Sequence, residues 1–180
     1  LIRIGAFRFT GMNKYELMWE KNAVYAPELA HPPGVLFEVP VDDYQLPELA
    51  ETRFEQAFDE IELLGFPLCS PFDLLQTPDL GDIQTAQMAA HIGKEVSMIG
   101  YYVTRKNVTT VNGKLMNFGT WLDSEGQFFD TTHFPPSLAQ YPFQGRGCYR
   151  ITGKIVEDFG FPSMDVVKME KLPWVKDERY

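Results

Sequence analysis

Residues able to do covalent chemistry occur in this chain, but not at the spacings such chemistry needs. There is no Gly-rich phosphate loop, no G-x-S-x-G and no H-E-x-x-H. His31, His91 and His133 stand apart from one another. Cys69 and Cys148 have neither a second Cys nor a His at metal-ligand spacing, and read as two reduced thiols. Asp42-Asp43 is the one adjacent carboxylate pair with metal-site appeal. Two-metal phosphoryl transfer needs carboxylates held rigidly around ions roughly 4 Å apart. The Pro-rich surroundings do not supply that rigidity, so the pair reads as a solvated turn. Asp59, Glu60 and Glu62 read as the polar face of a helix. The sequence therefore gives no catalytic set and no metal site.

Binding chemistry is better represented. Arg105, Lys106, Lys114, Phe118, Thr120, Trp121, Phe128, His133 and Phe159 interleave cations with aromatic rings. Rings stack on flat ligands, at about 1–3 kcal/mol per nucleobase, and cations track phosphates. Period-2 alternation puts Phe118 and Thr120 on one face of a strand and Trp121 on the other. Only one of these faces can bind, and position alone does not say which. The preferred arrangement has Phe118 outward and Trp121 as the buried end of its strand. For His133, a satisfied histidine at a strand end competes with a ligand contact.

The elements that must position these residues follow from the pattern between residues 94 and 171. Strand one runs from Glu95 to about Lys106, with Gly100 at a bend. Asn112-Gly113 is a hairpin signal, and strand two covers about 114–122. Asp123-Ser-Glu-Gly126 is a turn, followed by strand three over 127–134. Pro135-Pro-Ser-Leu-Ala-Gln-Tyr141 is a brief helical connection. Strand four runs over 147–157 and strand five over 163–170, joined by Asp158-Phe-Gly-Phe-Pro162. This is the order of a five-stranded oligonucleotide-binding (OB) barrel, whose binding surface is the face of strands two and three flanked by the first and last hairpin loops.

The N-terminal part reads differently. Residues 1–24 are expected to be helical, with Asn13 as N-cap and Glu16 three residues on. Residues 25–53 carry Pro27, Pro32, Pro33, Pro40 and Pro47 and read as an extended arm. A helix resumes at Thr52, with Thr52 and Glu55 as a capping box, an apolar stripe of Phe54, Ala57, Phe58, Ile61 and Leu64, and Gly65 as its end. Phe72, Leu74 and Leu75 form a docking segment, and a short helix covers 82–90. The fold class expected is α+β, with the boundaries 1–24, 25–93, 94–171 and 172–180.

Bulk properties bound the function. The 180 residues are 44% hydrophobic and 23% charged, which suits a folded chain with a core. No apolar run is long enough to span a membrane as a helix. The net charge of −9 is uneven, with −10 over residues 1–93, +1 over 94–160 and 0 over 161–180. The barrel alone has a slight basic excess, so any binding of nucleic acid by the chain itself is expected to be weak and salt-sensitive. Leu1-Ile-Arg-Ile-Gly-Ala-Phe7 opens in mid-pattern and reads as part of something longer.

Three segments, in order, resemble the C-terminal region of the alpha (polymerase) subunit of bacterial DNA polymerase III. Leu1–Phe7 with Asn13-Lys-Tyr-Glu-Leu-Met-Trp19 is similar to the end of that family's helix-hairpin-helix region. Glu60-Ile-Glu-Leu-Leu-Gly-Phe-Pro-Leu-Cys-Ser70 is similar to the segment ahead of its OB domain. Gly100, Lys114, Met116, Phe118, Asp123 and Gly126 match the pattern of its first three barrel strands, while Phe129-Asp-Thr-Thr-His-Phe-Pro135 departs from the commoner Val-rich third strand. The resemblance covers nearly the whole chain. It implies a bacterial cytoplasmic replication protein, whose parent is a DNA-directed DNA polymerase, a nucleotidyltransferase using magnesium. The aspartates for that chemistry would lie upstream of Leu1, so these residues themselves would be non-catalytic and without a cofactor. It implies an OB domain that contacts single-stranded DNA, and the surface read from the residues themselves would make that contact through Arg105, Lys106, Lys114, Phe118, Thr120, Phe128, His133 and Phe159. The alternative is a protein-interaction module for the sliding clamp or another replisome subunit. The clamp motif would fall at Leu36 and Phe37, where Pro33 replaces a Gln and removes its hydrogen bonds. Gln45-Leu-Pro-Glu-Leu49 is a second, poorer match.

Overall fold

The computed structural model describes residues 1–25, 49, 51–52, 54–78 and 81–179. His31, Asp42-Asp43 and the clamp-like Leu36 and Phe37 lie outside the described residues, as does most of Gln45–Leu49. The chain divides into a helical unit, Leu1–Leu68 with Asp177–Tyr180, and a barrel unit, Cys69–Lys176. Among the described residues no helix is long and apolar enough to cross a membrane.

The barrel unit has five strands, β1 (Glu95–Thr109), β2 (Leu115–Leu122), β3 (Phe128–His133), β4 (Cys148–Asp158) and β5 (Phe161–Lys171). They close in the order β1-β2-β3-β5-β4. All neighbours are antiparallel except β3 and β5, which pair in parallel through Thr131 with Met164 and Thr132 with Asp165. A short helix, α3 (Pro135–Gln140), sits between β3 and β4. This closed topology with its helix in that position is an OB fold.

β1 serves both halves of the barrel. Residues Glu95–Tyr101 pair with β4, and Tyr101–Thr109 pair with β2. Gly100 lies at the changeover, where a Cβ would come 2.8 Å from both Phe129 and Trp121. Absence of a side chain there lets the strand bend over these two rings. The core is built from inward residues of all five strands, including Met98, Trp121, Phe129, Tyr149, Ile151, Ile155 and Met164. Each fully buried apolar side chain contributes about 1.5–3 kcal/mol.

Turn chemistry pins the register. Asp123 is 1% exposed, and its carboxylate accepts hydrogen bonds from the amides of Thr85, Glu125 and Gln127 at 3.0, 3.0 and 2.8 Å. Burial raises its pKa, but these bonds outweigh burial and hold it below the usual carboxylate range. The first hairpin closes through Thr110 and Lys114, with Thr110 N–H donating to the Lys114 carbonyl at 2.8 Å.

The compact unit that holds the barrel extends beyond its strands on both sides, from Cys69 to Lys176. The reason is packing. Leu75 joins Tyr101, Cys148 and Trp174 in an apolar cluster and is bridged to Trp174, while Leu74 beside it is fully buried and its carbonyl accepts from the Val175 amide at 2.7 Å. Met88 enters the main core from a 3-10 helix, Thr85–His91, at the place where a short helix is expected, and Ile83 enters it from the segment just ahead of that helix. Cys148 is fully buried, and burial pushes its thiol up to about 12, which leaves it inert as a nucleophile.

In the helical unit, α1 spans Lys14–Tyr25. Asn13 caps it as expected: its side-chain oxygen accepts from the Tyr15 and Glu16 amides at 2.9 Å, and Glu16 reaches back to the Asn13 amide at 2.7 Å. Helix α2 spans Glu55–Leu64, so it starts later than Thr52, although Glu55 still accepts from the Thr52 amide at 3.2 Å. The expected polar face of α2 is in fact partly buried. Asp59 is 1% exposed and Glu60 is 3% exposed. Asp59 accepts from Arg3, Lys14 and Arg179 at 2.5, 2.8 and 2.5 Å, and Lys14 also pairs with Glu55. Three cations gathered on one carboxylate explain why a charge sits inside.

Candidate nucleic-acid interface

The outer wall of β1, β2 and β3 carries a continuous set of cross-strand rows. Lys106 faces Phe118, which faces Thr132, which faces Asp165 on β5. The next row is Thr104, Thr120 and Asp130, in which the Thr120 hydroxyl donates to Asp130 at 2.7 Å. Leu122 and Phe128 form the third row. Phe118 is 43% exposed and Phe128 is 63% exposed. Two rings and a lysine at this spacing can stack flat groups and neutralise a phosphate.

At one border lies the β4–β5 hairpin. Asp158 pairs with Phe161, leaving Phe159 and Gly160 as a two-residue turn with φ of 52° and 85°. This is the type I′ geometry that matches strand twist and strongly favours Asn-Gly. A phenylalanine in the left-handed region costs about 1–2 kcal/mol. Phe159 is nevertheless fully exposed, and Phe161 beside it is 76% exposed. Asp165, nearby on β5, has its pKa raised by burial and by the charge of Asp158.

The proposed set of contacts divides in the structure. Lys106, Phe118, Thr120 and Phe128 share the outer wall, and Phe159 lies at the hairpin tip. Trp121 is fully buried, as preferred from its position, with its indole N–H donating to the Thr131 hydroxyl at 2.7 Å.

His133 is not on the surface. It is 0% exposed, faces inward opposite Asn117, and lies 2.9 Å from the Thr131 hydroxyl through Nε2. Burial pushes its pKa down to about 4, so it is neutral at physiological pH. A neutral ring sealed beneath Phe143 and Trp121 cannot meet a ligand on the outer wall.

Arg105 is also separated from Lys106. Val103 is an extra residue in β1, because Tyr102 pairs with Trp121 and Thr104 with Thr120. This bulge reverses which alternate residues face inward. Arg105 consequently pairs with Gly119 and Asn107 with Asn117, on the face opposite Lys106. The Arg105 guanidinium sits 5.1 Å above the Phe143 ring. Arg105 and Lys114 line a pocket beneath α3 instead of the outer wall. The sequence reasoning missed Phe161, Asn117 and Phe143. The only signal for Asn117 was its parity, opposite to Phe118 in β2. Among the described residues there is no group of His, Cys, Asp and Glu able to hold a metal ion.

No protein-family model and no curated protein matches this chain. Among solved structures, a Klebsiella pneumoniae protein described as a nucleic acid-binding lipoprotein is 17% identical, with a TM-score of 0.36 over 47% of this chain and 78% of that one. The second OB-fold domain of replication protein A from Methanococcus maripaludis is 10% identical, with a TM-score of 0.30 over 48% of this chain and 89% of that one. At these scores neither likeness carries an argument, and the OB assignment rests on strand order and closure.

Proposed function

We propose that this chain is a nucleic-acid-binding OB module that holds single-stranded DNA along the outer wall of β1–β3. The observation that carries this reading is Phe118, exposed in the middle of that wall with Lys106 directly across from it. A phenyl ring in such a place has an unfilled apolar face, and a stacked base would contribute about 1–3 kcal/mol. Phe128 is four residues along the strand direction from Phe118, roughly 13 Å at strand spacing. The wall therefore offers two stacking positions, with Phe159 and Phe161 at its border.

The finer reading rests on the resemblance to the polymerase III alpha subunit. In that reading the barrel positions template strand near a polymerase centre that uses magnesium and lies outside these residues. The small charge excess of the barrel fits a tethered accessory better than a tight independent binder. Fluorescence anisotropy with labelled oligo-dT at low salt tests the binding. Weak saturable binding that falls with log salt by about 0.7 per phosphate contacted is expected. No binding at high protein concentration in low salt would remove the proposal.

A further inference from the structure

We propose that the pocket beneath α3 is a second binding site, for a nucleoside phosphate carrying an amino-substituted base. It has a volume of about 500 Å³ and is bounded by Arg105, Asn107, Lys114, Asn117, Leu138 and Phe143. That volume lies within the range of small-ligand sites, about 300–1,000 Å³. The pocket is separate from the outer wall, because Arg105, Asn107 and Asn117 have the opposite strand parity to Lys106 and Phe118.

Three features select the ligand. Arg105 and Lys114 supply two cations, and among the described residues neither has a carboxylate partner. Phe143 and Leu138 provide apolar walls for a planar ring, and Arg105 already lies over Phe143. Asn117 supplies the specificity. It is 2% exposed, and its side-chain oxygen has no hydrogen-bond partner among the described residues. A buried acceptor left unmatched seeks a donor. An exocyclic amine of adenine or cytosine is such a donor, whereas thymine presents carbonyl oxygens in that position and only its ring N3–H, held between them, as a donor. A plain anion would satisfy the cations but leave Asn117 unmatched.

The ligand could be a free mononucleotide or one nucleotide of a strand, and the test separates these. The full chain, labelled with nitrogen-15, is titrated by NMR with dAMP, dTMP, inorganic phosphate and the pentamer d(TTATT). The expected result is that dAMP shifts the Asn117 side-chain amide and the backbone of Leu138 and Phe143. Its affinity should exceed that of dTMP by about fivefold or more, the equivalent of one hydrogen bond. Phosphate alone should leave Asn117 unmoved. Shifts of the pocket by the pentamer but not by dAMP assign the site to a strand nucleotide, and the reverse assigns it to a free one.

Ala139→Trp, at an exposed position on α3 that lines the pocket, should abolish the effect by filling the space. Arg105→Ala with Lys114→Ala should weaken dAMP about tenfold or more, as loss of charge-assisted contacts implies. Phe118→Ala should leave dAMP binding unchanged, so this proposal and strand binding at the outer wall can fail separately. Equal response to dAMP, dTMP and phosphate would overturn it, as would no response to either dAMP or the pentamer.

Discussion

Arg105 and Lys106 adjoin in sequence but serve opposite faces of the barrel wall. Lys106 pairs with Phe118 on the outside, whereas Arg105 pairs with Gly119 and lies over Phe143. The bulge at Val103 sets this division. Two cations that look like one basic patch in the sequence therefore belong to two surfaces, and substitutions at them should have separable effects.

The Phe159 turn should trade stability against binding. Phe159→Asn relieves a side chain at φ of 52° and restores the preferred Asn-Gly turn. The variant should be more stable by about 1 kcal/mol, seen as a Tm a few degrees higher. The same change should lower oligo-dT affinity, since an exposed ring is lost from the border of the wall. Unchanged affinity would remove Phe159 from the interface.

The barrel should lose stability on mild acidification because of His133. Its folded pKa is about 4, below the ordinary value of 6.5. Below about pH 6.5 the unfolded chain takes up a proton that the folded barrel refuses, so stability falls as pH drops from there toward 4. The slope should approach about 1.4 kcal/mol per pH unit. Urea unfolding between pH 7.5 and 4.5 measures it, and His133→Gln should flatten the dependence. An imidazole that titrates near 6.5 by NMR would contradict the buried, neutral assignment.

The helical unit should respond in a lower window. Burial raises the pKa of Asp59, but hydrogen bonds from Lys14, Arg3 and Arg179 outweigh burial and leave it depressed. Glu55 is depressed in the same way, with Lys14 and Tyr15 outweighing burial. Depressed carboxylates stabilise the fold above their unfolded pKa, near 4, and that stability is lost as pH falls through the folded values. Asp59→Asn at neutral pH should cost about 3–5 kcal/mol, because the cations gathered on Asp59 lose their counter-charge. Helical circular dichroism should fall first in this variant, while the near-ultraviolet signal from Trp121 in the barrel persists.

The sequence made the barrel readable and left the partitioning of its surfaces obscure. Alternation over Phe118, Thr120 and Trp121 separated the two faces of β2 correctly, because β2 pairs with β3 without a bulge. Asp158-Phe-Gly-Phe-Pro162, Asp123–Gly126 and Pro135–Tyr141 marked connections that local chemistry dictates. In β1 the same counting fails at Val103, since a bulge depends on the partner strand and has no fixed local signature. The burial of Asp59 was equally hidden. It depends on Arg3, Lys14 and Arg179, and Arg179 is 120 residues away from Asp59. Leu74 and Leu75 read as a docking segment, but Trp174, to which Leu75 is bridged, comes from beyond the last strand.

The central claim, that single-stranded DNA lies on the outer wall, is tested most directly by anisotropy of labelled oligo-dT with Phe118→Ala and Lys106→Ala in the full chain. Both residues are exposed, so stability should change by no more than about 0.5 kcal/mol. Phe118→Ala should weaken binding by about 1–3 kcal/mol, the equivalent of one stacked base. Lys106→Ala should also weaken it and reduce the salt slope by about 0.7. Folded variants that bind with wild-type affinity and an unchanged slope would contradict the account.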